Sequence, residues 1–267
     1  MLRLNVELGL AWGPFRAADL VVPPPAPPPL IGPLDLVLVL DVTGSMTDAI
    51  AAVVAGAGEI VDAVERTTEG DYQLGLVRFQ DYIDVLDDLA PGNASAVRAH
   101  LQAPDFFLGA GFFNPEGSDE ALNTVLNGLR AVDRPAGPLT VPNDRPGRPP
   151  IMLGDYYQSG DFVGTFRDDA ERIVVLVTDA PPGGFTDHVT PATIAHAHVM
   201  ALRARARGIK LAAVFVPTTG DYAGQRAVMQ DYATTSGGVF IETDELGAGL
   251  AAAIVTVIEQ RARGGAE

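Results

Sequence analysis

The chain has 267 residues, 47% of them apolar, and no cysteine. Disulfides, zinc–thiolate sites and thiol nucleophiles are thereby excluded together, while the apolar content suffices for one large α/β domain or a domain with an appendage. With 34 acidic against 18 basic side chains the formal charge is −16, which argues against nucleic acid or an anionic membrane as partner, since phosphate binding rests on Lys and Arg, and suits cations or basic partners.

The first segment, Leu2, Leu4, Val6, Leu8 and Leu10 alternating with mostly polar residues, is predicted to be a half-buried strand. Arg3, Asn5 and Glu7 interrupt any signal-peptide core. No apolar stretch reaches membrane-spanning length without interruption, so the expected compartment is the cytoplasm. The run Val22-Pro23-Pro24-Pro25-Ala26-Pro27-Pro28-Pro29 reads as a stiff spacer. Residues 1–33 are therefore an N-terminal strand and linker, and the main domain spans 34–264.

From Leu34 the chain alternates strand and helix. Leu34 to Leu40 is apolar on both faces, as a buried parallel strand requires. Thr47 to Glu65 has helical periodicity through Ile50, Val53, Val54, Ile60, Val61 and Val64. Tyr72 to Phe79 and Tyr82 to Leu86 are predicted to form a hairpin around Gln80-Asp81. Ser95 to Leu101 is a short helix, and Ser118 to Val132 a longer one with acids in its first turn. Residues 135–165 are rich in Pro and Gly, lack periodicity and read as a loop insertion. Arg172 to Thr178 is a second buried strand and Lys210 to Val216 a third. Pro191 to Arg207, Ala223 to Thr235 and Leu246 to Arg261 are helices, and Val239 to Glu242 is a short strand. The alternation predicts an open, doubly wound, mostly parallel sheet with helices on both faces.

In such sheets ligands bind beyond the carboxyl ends of the strands, where strand order reverses. Two buried strands run into acids there, the first into Asp41 and the later one into Asp179. If they are neighbours, the carboxylates converge, and Thr43 and Ser45 face the same spot. These four hard oxygen donors suit Mg²⁺ or Mn²⁺, with Ca²⁺ a further possibility. The hydroxyls fill coordination positions without cancelling the metal's charge. The competing structural reading is that Ser45-x-x-Asp48 is a capping-box variant opening the helix.

The apolar strand, Asp41-Val42-Thr43-Gly44-Ser45-Met46, the helix, and Val175-Leu176-Val177-Thr178-Asp179 together resemble the von Willebrand factor type A domain, over Leu34 to about Gly264. The resemblance implies a Rossmann-like sheet of six strands with one antiparallel edge strand, and a metal-ion-dependent adhesion site (MIDAS) of the form Asp-x-Ser/Thr-x-Ser. Pro115-Glu116-Gly117-Ser118-Asp119-Glu120-Ala121 is similar to the Pro-Glu-Gly-Gly-x-Asp-Ala loop of integrin β-subunit domains. That likeness implies Glu116 as a fifth metal ligand. It also marks departures: Asp48 matches the first of the two acids that hold an adjacent cation there, but Ala49 stands at the second. Gly111 and Phe113 replace the Asn and Asp that precede the loop. The family role implied is non-enzymatic: Mg²⁺-dependent docking of an acidic side chain of a partner protein, by a cytoplasmic adaptor serving an AAA+ ATPase or another multiprotein machine, or by an extracellular adhesin.

Other chemistries fit less well. Asp-Val-Thr-Gly-Ser also resembles the phosphorylation motif of haloacid dehalogenase-like enzymes, in which Asp41 would be the nucleophile. That reaction needs a lysine at the phosphate, and Lys210 is the one lysine, at the start of a strand. Aspartic-protease chemistry needs contiguous Asp-Thr-Gly twice. His196 and His198 do not share a helix face, and His100 and His188 show no partner in the sequence. Arg203, Arg205 and Arg207 read as a basic patch, or equally as pairing with the protein's own acids and the helix end. Phe106, Phe107, Phe112 and Phe113 are read as core, and Asn93-Ala94-Ser95 matches a glycosylation sequon.

Overall fold

Strand β1 (Leu34–Asp41) is buried along its whole length, as its two-sided apolar pattern requires. A computed structural model describes residues 32–109, 115–134, 139–141, 151–154, 157–185, 188–218, 223–244 and 249–264. The predicted strand at 2–10, the proline run, Gly111, Phe112 and Phe113 lie outside these residues. In the main sheet β1 lies between β2 (Tyr72–Phe79) and β7 (Glu171–Thr178), in parallel register with both. Beyond β7 come β8 (Lys210–Phe215) and β9 (Val239–Glu242), also parallel. β3 (Ile83–Pro91) returns antiparallel beside β2.

The sheet has seven strands rather than six, in the order β6-β3-β2-β1-β7-β8-β9. The extra strand, β6 (Gln158–Ser159), lies parallel to β3 and covers what would have been the antiparallel edge. Gln158 fixes it there. Its amide donates to the Leu129 and Gly160 carbonyls at 2.8 and 3.0 Å, and its oxygen accepts from Thr124 and Arg134. The described parts of the insertion include regular structure. β4 (Leu139–Val141) and β5 (Ile151–Gly154) make a small antiparallel pair, and Phe162 is fully buried in the main core.

Helices cover both faces. On one side α1 (Thr47–Thr68), α2 (Ala94–Leu101) and α6 (Leu250–Gly264) pack over Leu34, Leu36, Leu38 and Leu40. On the other, α3 (Ser118–Asn127), α4 (Pro191–Ala206) and α5 (Ala223–Ser236) pack over Val37 and Val39. The two-residue period of β1 divides its apolar side chains between the layers. α3 stops five residues before the expected Val132, because Gly128 takes a left-handed conformation (φ 63°) and closes it. The one charged side chain in the body of β1, Asp35, is fully buried and paired with Arg167.

Candidate metal centre

Strand order reverses at β1. The chain leaves β1 for β2 on one side, and the later strands build outward from β7 on the other. The carboxyl ends of β1 and β7 are adjacent, with Leu40 level with Val177. This places Asp41 beside Thr178, whose hydroxyl donates to Asp41 Oδ2 at 2.6 Å. The other oxygen, Oδ1, accepts from the Thr43 backbone N–H at 3.0 Å and the Thr43 hydroxyl at 2.6 Å. Thr43 Oγ1 lies 3.2 Å from Ser45 Oγ, and the Ser45 hydroxyl lies against the Asp179 carboxyl. Asp41, Thr43, Ser45 and Asp179 are thus brought together, as the sequence pattern predicts. Ser45 is not a helix cap: α1 begins at Thr47 with Met46 at its N-cap, and no side-chain capping bond forms.

Electrostatically this pocket is unsettled. Asp41 is fully buried, and desolvation together with the nearby Asp179 charge pushes its carboxyl up to about 7. Burial also raises Asp179, although the Thr218 hydroxyl donates to its Oδ2. Asp179 Oδ1 is buried and has no hydrogen-bond partner. Two buried carboxylates supplied with neutral donors, one oxygen left over and two hydroxyls alongside make a set of hard ligands short of positive charge. Such a set fits a small divalent cation.

Glu116 is held nearby by its backbone. Its N–H donates to the Pro181 carbonyl at 3.0 Å, and its carbonyl accepts from Gly183 N–H at 2.8 Å, in a parallel bridge to Pro182. Gly117 N–H donates to the Gln80 carbonyl at 2.9 Å, and the Gln80 amide donates to the Val42 carbonyl at 3.0 Å. The loops after β1, β2 and β7 and the loop before α3 are therefore stitched into one rim. A Cβ on Gly117 would meet the Gln80 oxygen at 2.8 Å, so the Pro-Glu-Gly turn needs its glycine for a close backbone approach. Glu116 is 3% exposed, but its carboxyl does not join Asp41 and Asp179 in a set with all ligand atoms within 4.8 Å; among the described residues such a group is formed by Asp119, Glu120 and His196.

That group is a clamp under the rim. Asp119 accepts from Gly184 N–H at 3.0 Å and pairs with His196 Nδ1 at 2.8 Å. Glu120 takes Arg134 at 2.5 Å and Asn123 at 2.9 Å. Arg134 also lies over the Phe185 ring. The charges are matched within the group, so its acids are already engaged. The hydrogen bond to Asp119 raises the His196 pKa. The stabilisation from this pair should be fully present below pH ~6.5 and fade as pH rises through the raised value. Thermal melts from pH 6 to 9 should show a loss in the wild type that is smaller in His196→Ala by the share this pair contributes.

Three residues of the site were not read as such in the sequence: Thr178, Thr218 and Gln80. Thr178 was visible as the residue beside Asp179. Thr218 lies just past the end of β8 and Gln80 at the end of β2, so strand-end position was the available signal. His100, read without a partner in the sequence, lies 2.8 Å from Asp87. The Asn93 amide of the sequon is turned inward onto the Leu74 carbonyl, where a glycan would not fit without unmaking that bond.

No family model matches the chain, and no curated protein sequence matches it. Solved structures do. The proximal thread matrix protein 1 (PTMP1) of the mussel byssus matches with a TM-score of 0.55 at 15% identity, over 86% of this chain and 48% of that one. A further structure of it, described as having a zinc-occupied MIDAS motif, matches with a TM-score of 0.54 at 15% identity, over the same shares of the two chains. The fold is of the von Willebrand A type. BatB from Bacteroides thetaiotaomicron, described as a conserved hypothetical protein, matches with a TM-score of 0.52 at 14% identity, over 86% of this chain and 99% of that one. The pilus adhesin SpaC from Lactobacillus rhamnosus GG matches with a TM-score of 0.53 at 16% identity, over 87% of this chain and 30% of that one. This A-type domain thus spans nearly all of one relative and under half of two others. Among the described residues no helix is long and apolar enough to cross a membrane.

Proposed function

We propose that this A-type domain docks a partner protein through a divalent cation, Mg²⁺ in the first instance, held at the carboxyl ends of β1 and β7. The carrying observation is the buried, undercompensated pair Asp41 and Asp179, with Asp179 Oδ1 lacking any hydrogen-bond donor. Thr43 and Ser45 would coordinate through their hydroxyls, and Asp41 and Asp179 directly or through water. Glu116, assigned by its integrin β-like Pro-Glu-Gly loop, would act from the rim. The cation supplies a position that an acidic side chain of the partner can take, since Mg²⁺ keeps exchangeable waters. The zinc-occupied motif of the byssal protein supports a divalent ion at this place in the fold.

The phosphoryl-transfer reading fails on position. Lys210 pairs with Glu171 at 2.6 Å, at the opposite end of the sheet. It is level with Ile173, five residues before Thr178, or about 16 Å at ~3.3 Å per residue. An extracellular adhesin would use this docking chemistry. A cytoplasmic adaptor, working with an AAA+ ATPase or another assembly, would use the same site.

Calorimetric titration of the chelator-treated protein with Mg²⁺ and Mn²⁺ should give one saturable site. Asp179→Ala should abolish it, and Glu116→Ala should weaken it at least tenfold. Binding of an Asp-containing peptide array that persists in chelator would sink the metal-bridged mechanism.

A further inference from the structure

Helix α4 is apolar on the side that faces away from the core. Its buried residues are Ala197, Met200, Ala201 and Ala204. Opposite them, in the order of a 3.6-residue helix, stand Ala195, Val199, Leu202 and Ala206, all exposed. On this face Val199 is 43% and Leu202 45% exposed; Ile194, at 37%, lies about a third of a turn round the helix, and Val189, at 50%, just before it. Among the described residues six large apolar side chains are exposed. Four of the six lie in this one stretch of chain, and two of them, Val199 and Leu202, stand together on the outward face. The spacing of Ala195, Val199, Leu202 and Ala206 is four, three, four, the seam by which one helix receives another.

Charge narrows the occupant. α4 contains no Asp or Glu. Arg203 flanks the seam on one side, and His198 and Arg205 on the other, each exposed. Arg203 and Arg205 make no ion pair among the described residues, which favours the basic-patch reading of these two over pairing with the protein's own acids. Arg207 instead turns to the Leu126 carbonyl, and His198 is paired with Asp231 of α5 at 2.8 Å. The acids of α3 nearby, Asp119 and Glu120, are taken by His196 and Arg134. A second copy laid on this face would set basic flanks against a helix that has no acid to offer, between two chains of charge −16. We propose that the outward face of α4 docks an amphipathic helix of a partner protein whose apolar seam is flanked by Asp or Glu. The surface is independent of the metal centre.

The test uses the full chain and two synthetic peptides of about three heptads. Both carry Leu at the seam positions, and one has Glu and the other Lys at the flanks. Fluorescence anisotropy should show the Glu peptide binding at least tenfold more tightly than the Lys peptide, with no change on adding chelator. The surface doubles Val199→Glu with Leu202→Glu, and Arg203→Glu with Arg205→Glu, should each weaken it at least tenfold with an unchanged circular dichroism spectrum. Failure of the Glu peptide to bind, or equal binding of both peptides, overturns the proposal. So does sedimentation showing a dimer that Leu202→Glu dissociates, since a second copy is then the occupant. Chelator-sensitive binding would assign the peptide to the metal centre instead.

Discussion

Asp41→Asn is expected to stabilise the cation-free protein at neutral pH while abolishing cation binding. The Asp41 carboxylate is fully buried, and desolvation and Asp179 raise its pKa. A raised acid pKa means that the folded state holds a proton the unfolded chain has released. Folding stability therefore falls as pH rises from about 4 and levels off near the raised value. Asn removes the charge, keeps Oδ1 for the two Thr43 donors and sets its NH2 against Thr178 Oγ1, which must then accept rather than donate. The shift sets an upper limit of about 4 kcal/mol on the gain at pH 7.5, and with the hydrogen bond at Thr178 weakened the rise in Tm should be on the order of 5–10 °C. In the wild type, Mg²⁺ at a hundred times its dissociation constant should restore about 2.7 kcal/mol; the variant should not respond. Melts with and without cation, at pH 5 and 7.5, provide the measurement. A variant that melts lower than wild type and still responds to Mg²⁺ would remove Asp41 from the site.

Much of this centre was legible because its chemistry is local. Asp41, Thr43 and Ser45 stand at alternate positions after an apolar strand, and strand-end position alone suffices to aim them. Asp179 required one further inference, that its strand is the neighbour of β1, and two-sided apolarity marked both strands as central. What stayed hidden depends on contacts distant in sequence. Gln158 makes a seventh strand by bonding to Leu129 and Thr124, and nothing in Gln158-Ser159 has strand periodicity. The Asp119–His196 pair joins residues 77 apart; each is unremarkable on its own helix. The outward apolar face of α4 was obscured by its inward one, because a helix rich in Ala, Val, Met and Leu on both sides has no amphipathic signature to read. The Glu116 assignment came through resemblance, and the structure accounts for the placement of its backbone through Gly117 and Pro181.

The largest loss of stability should come from the other end of the sheet. Asp35 sits at the second position of β1, fully buried, where the apolar pattern gives no reason for a carboxylate. Arg167, at the end of the insertion, supplies the reason. Its Nε donates to Asp35 Oδ1 at 2.8 Å and its backbone N–H donates to Oδ2 at 2.5 Å, while Nη1 reaches Asp71 and Nη2 the Leu34 carbonyl. The guanidinium thus ties the chain entering β7 to the start of β1 and to the turn before β2. Arg167→Ala leaves the Asp35 charge with a single backbone donor in a dry site, and should cost about 3–5 kcal/mol. Asp35→Asn combined with Arg167→Ala should cost less than Arg167→Ala alone, because an orphaned charge is worse than an orphaned amide. Urea denaturation of the two single variants and the double variant measures the coupling directly. Cation affinity should stay within about twofold of wild type in every folded variant, since Asp35 and Asp41 are six residues apart along one strand, roughly 20 Å. Equal losses for Arg167→Ala and the double variant would show that the pair does not act as a unit, and that the insertion is held to the sheet by its apolar contacts around Phe162 instead.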